Sequence, residues 1–546
     1  MSSQAGPGFP GVSAWVATIL AGIVGLALVG HSAWISSATY DEVTYLKTAA
    51  HWWRTGEQSP ISRMGSPVTF WKIQQSLPMS WLDASGHGDW IDRPIENQSS
   101  LLRVVRLGSI WIWLTAFCVT VLWCLQRHGP RAMAFAAWLF ALSPNLIAHG
   151  GLVTMEMPLV AASAGLWASF DVFLRTGRRR WFVVAAACSA LAFACKYSAV
   201  LYPPILGLAW WWCVAEGESR RSLRRTMRIS LAMAGFGVLM IAADLVVTGF
   251  ARLPLSEQVG THPFLDRRYG KTLASFAEWP WPVDWVGFLT QLKHQRGGGP
   301  SYLFGQVRSI GWWYYYPVAL AVKTPVALAL LCLLRLTTRK RDVFPVVVAC
   351  GFLALAMLLS KRNYGFRYLL PLAPLAIAWL SSMVEKRSIQ AFGAWVLLGG
   401  YVLAIASVHP HELSYFNRLA GGSQGGSRIL ADSNLDWGQG LRGFAELQGR
   451  EPRFRDLTLY YFGDTDPRHY GVTGVLYLVT ANEESNRLLP PRLKAETRYL
   501  AVSTSLVAGP WGPPGYFQAV ARSRPILITR DGTIRIYEVS SLGYAD

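Results

Sequence analysis

At 546 residues the chain has the length of about three or four soluble domains of roughly 150 residues. Its composition excludes that reading: 52% is apolar, only 15% is charged, and 25 residues are Trp, which points to a polytopic membrane protein. The net charge of +19 does not signal nucleic acid, because the basic residues stand in short clusters between apolar runs.

In chain order, the first apolar run covers 14–34. No Lys or Arg precedes it and no clear cleavage site follows, so it reads as a retained helix and not as a signal peptide. Thr39-Tyr40-Asp41-Glu42 comes next, and residues 42–54 have the pattern of a short amphipathic helix on a membrane surface. At about 20 apolar residues per span, about eleven spans are expected. They are 14–34, 101–125, 131–149, 152–174, 181–197, 199–215, 228–250, 312–335, 343–360, 366–384 and 391–408. The two between 181 and 215 also fit one long helix broken at Pro203-Pro204.

Basic clusters separate these runs: Arg127 and Arg131; Arg175 and Arg178 to Arg180; Arg220 to Arg228; Arg335 and Arg339 to Arg341; Lys386-Arg387. With that span count and a cytoplasmic N-terminus, all of them fall on the cytoplasmic side. The long segments 35–100, 251–311 and 409–546 then lie outside. The aromatic run Trp312 to Tyr316 reads as an interfacial belt. The tail changes character. Leu457–Phe462, Val475–Val479, Tyr499–Thr504 and Thr533–Val539 read as strands between Gly, Pro and Asp turns, so a small soluble α/β domain is expected over 409–546.

Candidate site residues are charges in places where charge is costly. Asp41 and Glu42 stand at the mouth of the first span, where a desolvated carboxylate can act as acceptor and base; a water-facing helix-end pair is the alternative. The loop Lys361-Arg-Asn-Tyr-Gly-Phe-Arg367 carries three cations on the side opposite the other basic turns. Lys361, Arg362 and Arg367 therefore suit an anionic partner, with lipid phosphate the natural one. Glu156 opens a span and Lys196 closes another on that same side, as cavity residues or as a structural pair. Asp432 and Asp436, in Asp432-Ser-Asn-Leu-Asp-Trp-Gly-Gln439, have the residue types of a helix cap before the helical spacing of Leu441, Phe444 and Leu447. All seven cysteines, Cys118, Cys124, Cys188, Cys195, Cys213, Cys332 and Cys350, fall in apolar runs, so no structural disulfide is expected. His409 and His411 lack a third ligand at convincing spacing, so no metal is assigned.

The segment Tyr40-Asp41-Glu42 after the first span resembles the catalytic segment of GT-C fold membrane glycosyltransferases. The similarity is to glycosyltransferase family 39, the protein O-mannosyltransferases, and to bacterial phospholipid carrier-dependent homologues. Ser143-Pro-Asn145 with Glu156-Met-Pro-Leu159 resembles the family's second acidic segment, where Asp is more usual than Glu. Lys196-Tyr-Ser198, Phe366 to Pro371, Asp432 to Gln439, Tyr461-Phe-Gly463 and Tyr470-Gly471 are also similar to family segments. The resemblance implies an inverting transfer of a sugar from a polyprenyl-phosphate donor to a hydroxyl on a protein, lipid or glycan acceptor, at the outer face of a bacterial inner membrane. It implies Asp41 as base, Glu42 as an orienting group, the loop cations as the phosphate site, and no nucleotide-sugar motif. A transporter or flippase of a lipid-linked anion would use the same cations without needing a base at Asp41. It would show paired Gly/Pro-broken helices in two halves, and no such symmetry is visible in the sequence.

Overall fold

The computed structural model describes residues 11–57, 67, 69–213, 223–254, 278–338, 342–481, 486 and 489–542. Arg220, Arg221, Arg339, Lys340 and Arg341 lie outside them. Each apolar run of the sequence is mostly helical among the described residues. Among the described residues six helices are long and apolar enough to cross a membrane: Val12–Ile35, Gln98–His128, Glu156–Thr176, Arg224–Val247, Phe366–Val384 and Ile389–Val408. Two bent pairs reach that length together, Pro130–Ala141 with Pro144–Gly150 and Tyr315–Lys323 with Val326–Leu336. Val343–Leu359 is a shorter apolar helix. The chain is thus a polytopic helical membrane protein.

The region 181–215 is broken, but not at its prolines. Helix Arg179–Cys195 ends at Lys196, which is extended at φ −157° and ψ 123°. Pro203 and Pro204 instead sit in the first turn of helix Tyr202–Cys213, where a missing N–H costs nothing. The bend of 104° between Lys323 and Val326 frees carbonyls that cannot be left bare at membrane depth. Side chains from distant segments meet them. Asn145 Nδ2 donates to Lys323 O at 2.6 Å, and Asn417 Nδ2 donates to Ala321 O at 2.6 Å and Thr324 O at 3.0 Å. The aromatic run that follows the loop is not a belt. Trp312, Tyr315 and Tyr316 are buried, and Trp313 is exposed, because the helix beginning at Tyr315 turns its first residues inward.

The C-terminal segment carries a five-stranded sheet of order Val475–Val479, Thr458–Phe462, Tyr499–Ser503, Ile534–Glu538, Leu527–Ile528. The first three strands are parallel and the last two pair antiparallel. One apolar cluster lies around Tyr460, Leu500 and Tyr537, and another around Leu459, Ala501 and Ile536. Alternate residues therefore supply the two clusters, as the two-residue period of a strand requires.

One ion network ties the helix ends away from Asp41. Arg127 donates to both Asp171 and Asp342; Arg175 pairs with Asp171 at 3.0 Å, and Trp123 Nε1 donates to it at 2.9 Å. The basic turns after His128 and around Arg175 thus meet the segment that follows Arg341 at one end of the bundle. Glu156 and Asp171 share the helix Glu156–Thr176, about 22 Å apart at 1.5 Å per residue. Removing one partner of a buried network leaves unpaired charge. Arg127→Leu is expected to cost about 3–5 kcal/mol, seen as a large loss of thermal stability in detergent; a melting curve unchanged from wild type would show that the network is solvated.

Candidate active site

Asp41 and Glu42 are neighbours in sequence and face different ways. Helix Tyr40–Thr55 begins at Thr39, and Glu42 closes a capping box there, accepting Thr39 N–H at 2.9 Å. The Glu42 side chain is fully buried and pairs with Arg106, whose Nη2 and Nε donate at 2.7 and 3.0 Å. It also accepts Val153 N–H at 2.9 Å. Arg106 spends its other donors on Ala33 O, Ser36 O and Ser37 O at 2.6, 2.8 and 3.0 Å. These are carbonyls at the end of the first span, which have no partner within their own helix. Every donor of the guanidinium is therefore used. Glu42 does not reach Asp41's partners; its contacts are with Arg106, Thr39 and Val153.

Asp41 points into a chain of charges. Its Oδ2 accepts Arg367 Nη1 at 3.0 Å; the same Nη1 lies 3.5 Å from Glu156 Oε1, and Lys196 Nζ lies 3.2 Å from that oxygen. Glu156 is buried, and Asp41 keeps 28% of its side chain exposed. Aromatic faces flank the cations: Trp437 is 4.2 Å from the Arg367 guanidinium and Tyr368 is 3.7 Å from the Lys196 ammonium, both within cation–π range. Burial pushes the Asp41 carboxyl above the usual carboxylate range, and the adjacent Arg367 opposes that rise.

Of the other cations in the loop, Lys361 is exposed and Arg362 Nε donates to Gly298 O at 2.5 Å. Neither joins the contacts around Asp41. Asp432 stands beside the cluster. Trp511 Nε1 donates to its Oδ1 at 2.9 Å, and burial raises its carboxyl while Arg367 lowers it. Asp436 is held inside the C-terminal segment, accepting Ser505 N–H at 2.9 Å and Gly438 N–H at 3.3 Å, and burial pushes it up to about 7. Neither aspartate caps the helix Leu441–Arg450, whose N-cap is Gly440 without a side-chain bond. The segment 432–439 instead wires loops together. Tyr40 N–H donates to Trp437 O at 2.8 Å and Ser37 N–H to Gln439 O at 3.0 Å. Phe366 N–H donates to Asn434 Oδ1 at 2.9 Å. Gly438 makes this possible at φ 94°, where a Cβ would sit 2.7 Å from Tyr461 Oη.

Several residues of the site carry no local motif. Arg106 and Lys323 are cations inside runs otherwise read as apolar spans, and that misfit was their signal. Lys323 Nζ, buried, donates to Leu413 O at 3.0 Å and Asn434 O at 2.6 Å. His149 is buried near Trp437, with ring centroids 6.4 Å apart. Among the described residues no group of three His, Cys, Asp or Glu could hold a metal.

Residues 99–246 match the family described as dolichyl-phosphate-mannose-protein mannosyltransferase. That stretch contains Arg106, Glu156 and Lys196. No curated protein matches the chain. Among solved structures, ArnT from Cupriavidus metallidurans bound to undecaprenyl phosphate is similar at 13% identity and a TM-score of 0.46, over 98% of this chain and 100% of that one. The archaeal oligosaccharyltransferase AglB from Archaeoglobus fulgidus, in complex with an inhibitory peptide and a dolichol-phosphate, is similar at 11% identity and a TM-score of 0.43, over 91% and 70%.

The two carboxylates should respond differently to loss of charge. Glu42→Gln leaves the buried Arg106 uncompensated and is expected to cost about 3–5 kcal/mol of stability. Asp41→Asn leaves Arg367 paired with Glu156 and should melt close to wild type. Thermal melts of the two purified variants make the comparison; equal stability would place Glu42 outside the scaffold.

Proposed function

We propose that the chain is an integral membrane glycosyltransferase that moves a sugar from a polyprenyl-phosphate donor to an acceptor hydroxyl, with Asp41 as the base, at the extracytoplasmic face. The observation that carries the proposal is the contact of a partly open carboxylate with a buried cation chain, Asp41–Arg367–Glu156–Lys196. The family match over 99–246 supports the same chemistry. Arg367 and Lys196 suit the phosphate, Arg by a fork of donors and Lys as a point charge. The basic turns at the far end of the bundle support a cytoplasmic side there and an outer side at Asp41.

In this reading the acceptor oxygen attacks the anomeric carbon, opposite the phosphate. The new C–O bond forms as the C–O bond to phosphate breaks, which inverts the centre. The bonding pair leaves with polyprenyl phosphate, and the hydroxyl proton passes to Asp41. Arrival of the phosphate draws Arg367 from Asp41 and raises the carboxylate's basicity at the step that needs it.

A transporter of a lipid-linked anion is the second reading, favoured by the two proline-broken spans at Pro144 and Pro325. Asp41→Asn separates the two. It is expected to keep donor binding and lose transfer by about 10²–10⁴-fold, measured with a synthetic polyprenyl-phosphate sugar; near wild-type transfer removes Asp41 as base and moves the transporter reading ahead.

The pH profile gives a second check. The base works when ionised, so kcat/KM rises with pH through the Asp41 pKa. Arg367 holds that pKa down, so Arg367→Met is expected to move the rising limb to higher pH in addition to weakening donor use. A limb that stays in place, or moves to lower pH, assigns it to another group.

A further inference from the structure

The C-terminal segment brings a stack of aromatic rings to the base. Tyr40, the residue before Asp41, lies parallel to Phe462 at 5.4 Å and 4°, and Phe462 lies parallel to Trp511 at 5.7 Å and 10°. Phe462 is buried, whereas Trp511 and Tyr40 at the two ends are half-buried. Trp511 donates its indole N–H to Asp432 Oδ1 at 2.9 Å, which fixes the ring plane relative to that carboxylate. Asp432 itself sits at φ 57°, in the left-handed region that non-Gly residues seldom adopt and that recurs at functional sites. The turn at Asp432 to Asn434 holds it there, with Leu435 N–H and Asp436 N–H both donating to Asp432 O at 2.8 and 3.0 Å.

A flat aromatic face beside a carboxylate selects a particular chemistry. The electron-rich ring face attracts polarised C–H groups, and an ionised carboxylate only accepts hydrogen bonds. A pyranose offers both features, an apolar C–H face and a rim of hydroxyl donors. A phosphate offers neither, and its charge opposes that of Asp432. Arg367 and Lys196 supply the cations of the Asp41 charge chain, while Asp432 and Trp511 supply acceptor oxygens and an aromatic face. Inverting attack requires the acceptor to approach from the side opposite the phosphate.

We propose that Trp511 and Asp432 form a seat for a sugar ring of the acceptor, so that the hydroxyl delivered to Asp41 belongs to a carbohydrate. The identification of the ring as the acceptor's rests on the transferase reading above; the existence of the seat does not.

The test is saturation-transfer NMR on the full chain in nanodiscs, with methyl α-D-mannopyranoside, methyl α-D-glucopyranoside and methyl β-D-galactopyranoside as probes. At least one is expected to receive saturation at its ring C–H protons, in wild type and equally in Asp41→Asn, which reads the seat independently of catalysis. Trp511→Ala is expected to weaken binding about tenfold, and Trp511→Tyr to keep most of it. Asp432→Gly removes the carboxylate and relieves the left-handed backbone, so it should lose binding while its melting temperature holds or rises, which excludes unfolding as the cause. No saturation from any of the three glycosides overturns the proposal, as does a signal that survives Trp511→Ala. Displacement of the glycoside by polyprenyl-phosphate mannose also overturns it, by assigning the seat to the donor.

Discussion

The site depends on one buried ion pair, Arg106 with Glu42. A chain that leaves a membrane helix must satisfy the carbonyls of its last turn, and here Arg106 does so for Ala33 and Ser36 and for Ser37 just beyond. Glu42 balances the charge and takes Thr39 N–H and Val153 N–H as well. Three segments, the end of the first span, the start of the Tyr40 helix and the residues before Glu156, are thereby fixed to one ion pair. A buried pair of this kind contributes little net stability against apolar replacements, yet breaking it is costly. Its effect is to hold one geometry, and that geometry aims Asp41.

Adjacent carboxylates can divide labour because a helix turns about 100° per residue. Glu42 faces the bundle and is fully buried, while Asp41 faces the mouth with 28% of its side chain open. The same rotation separates their partners: Arg106 is committed to backbone and to Glu42, whereas Arg367 is shared between Asp41 and Glu156. A shared cation can change partners when an anion arrives, and a fully committed one cannot.

Much of the fold was legible in the sequence, because long apolar runs and alternating strands follow periods that survive any neighbour. The runs at 14–34 and 391–408 became Val12–Ile35 and Ile389–Val408, and the four tail strands appear within a residue or so of their expected bounds. The breaks were less legible. The kink after Lys323 is held by Asn145 and Asn417, contacts 178 and 96 residues away that no local pattern displays. Asp41, Glu156, Lys196 and Arg367 stood out as charges at span ends and do meet. Arg106 and Lys323 were averaged into apolar windows, although a cation within such a run is itself a signal. Asp41-Glu42 read as a unit because sequence adjacency hides which way each side chain turns. Trp511 sits in a Gly- and Pro-rich loop whose meaning depends on the stack it joins.

The C-terminal segment is part of the site and does more than follow the membrane helices. Its residues 437–439 hydrogen-bond the backbone of Ser37 and Tyr40, and Asn434 holds the backbone of Phe366, one residue before Arg367. Trp437 covers the Arg367 guanidinium. Both members of the Asp41–Arg367 contact are therefore set by the same short stretch, which packs on the helical core through Leu435. The charge chain itself is balanced, with two carboxylates and two cations, so it stands in a low-dielectric site without a net charge to solvate. In the proposed reaction an incoming phosphate adds negative charge to that balance, and the group able to yield is Asp41, the carboxylate with open surface. In the proposed transfer, uptake of the hydroxyl proton by Asp41 removes one negative charge there while the departing phosphate gains one, so the total is unchanged and negative charge moves from the base toward Arg367 and Lys196.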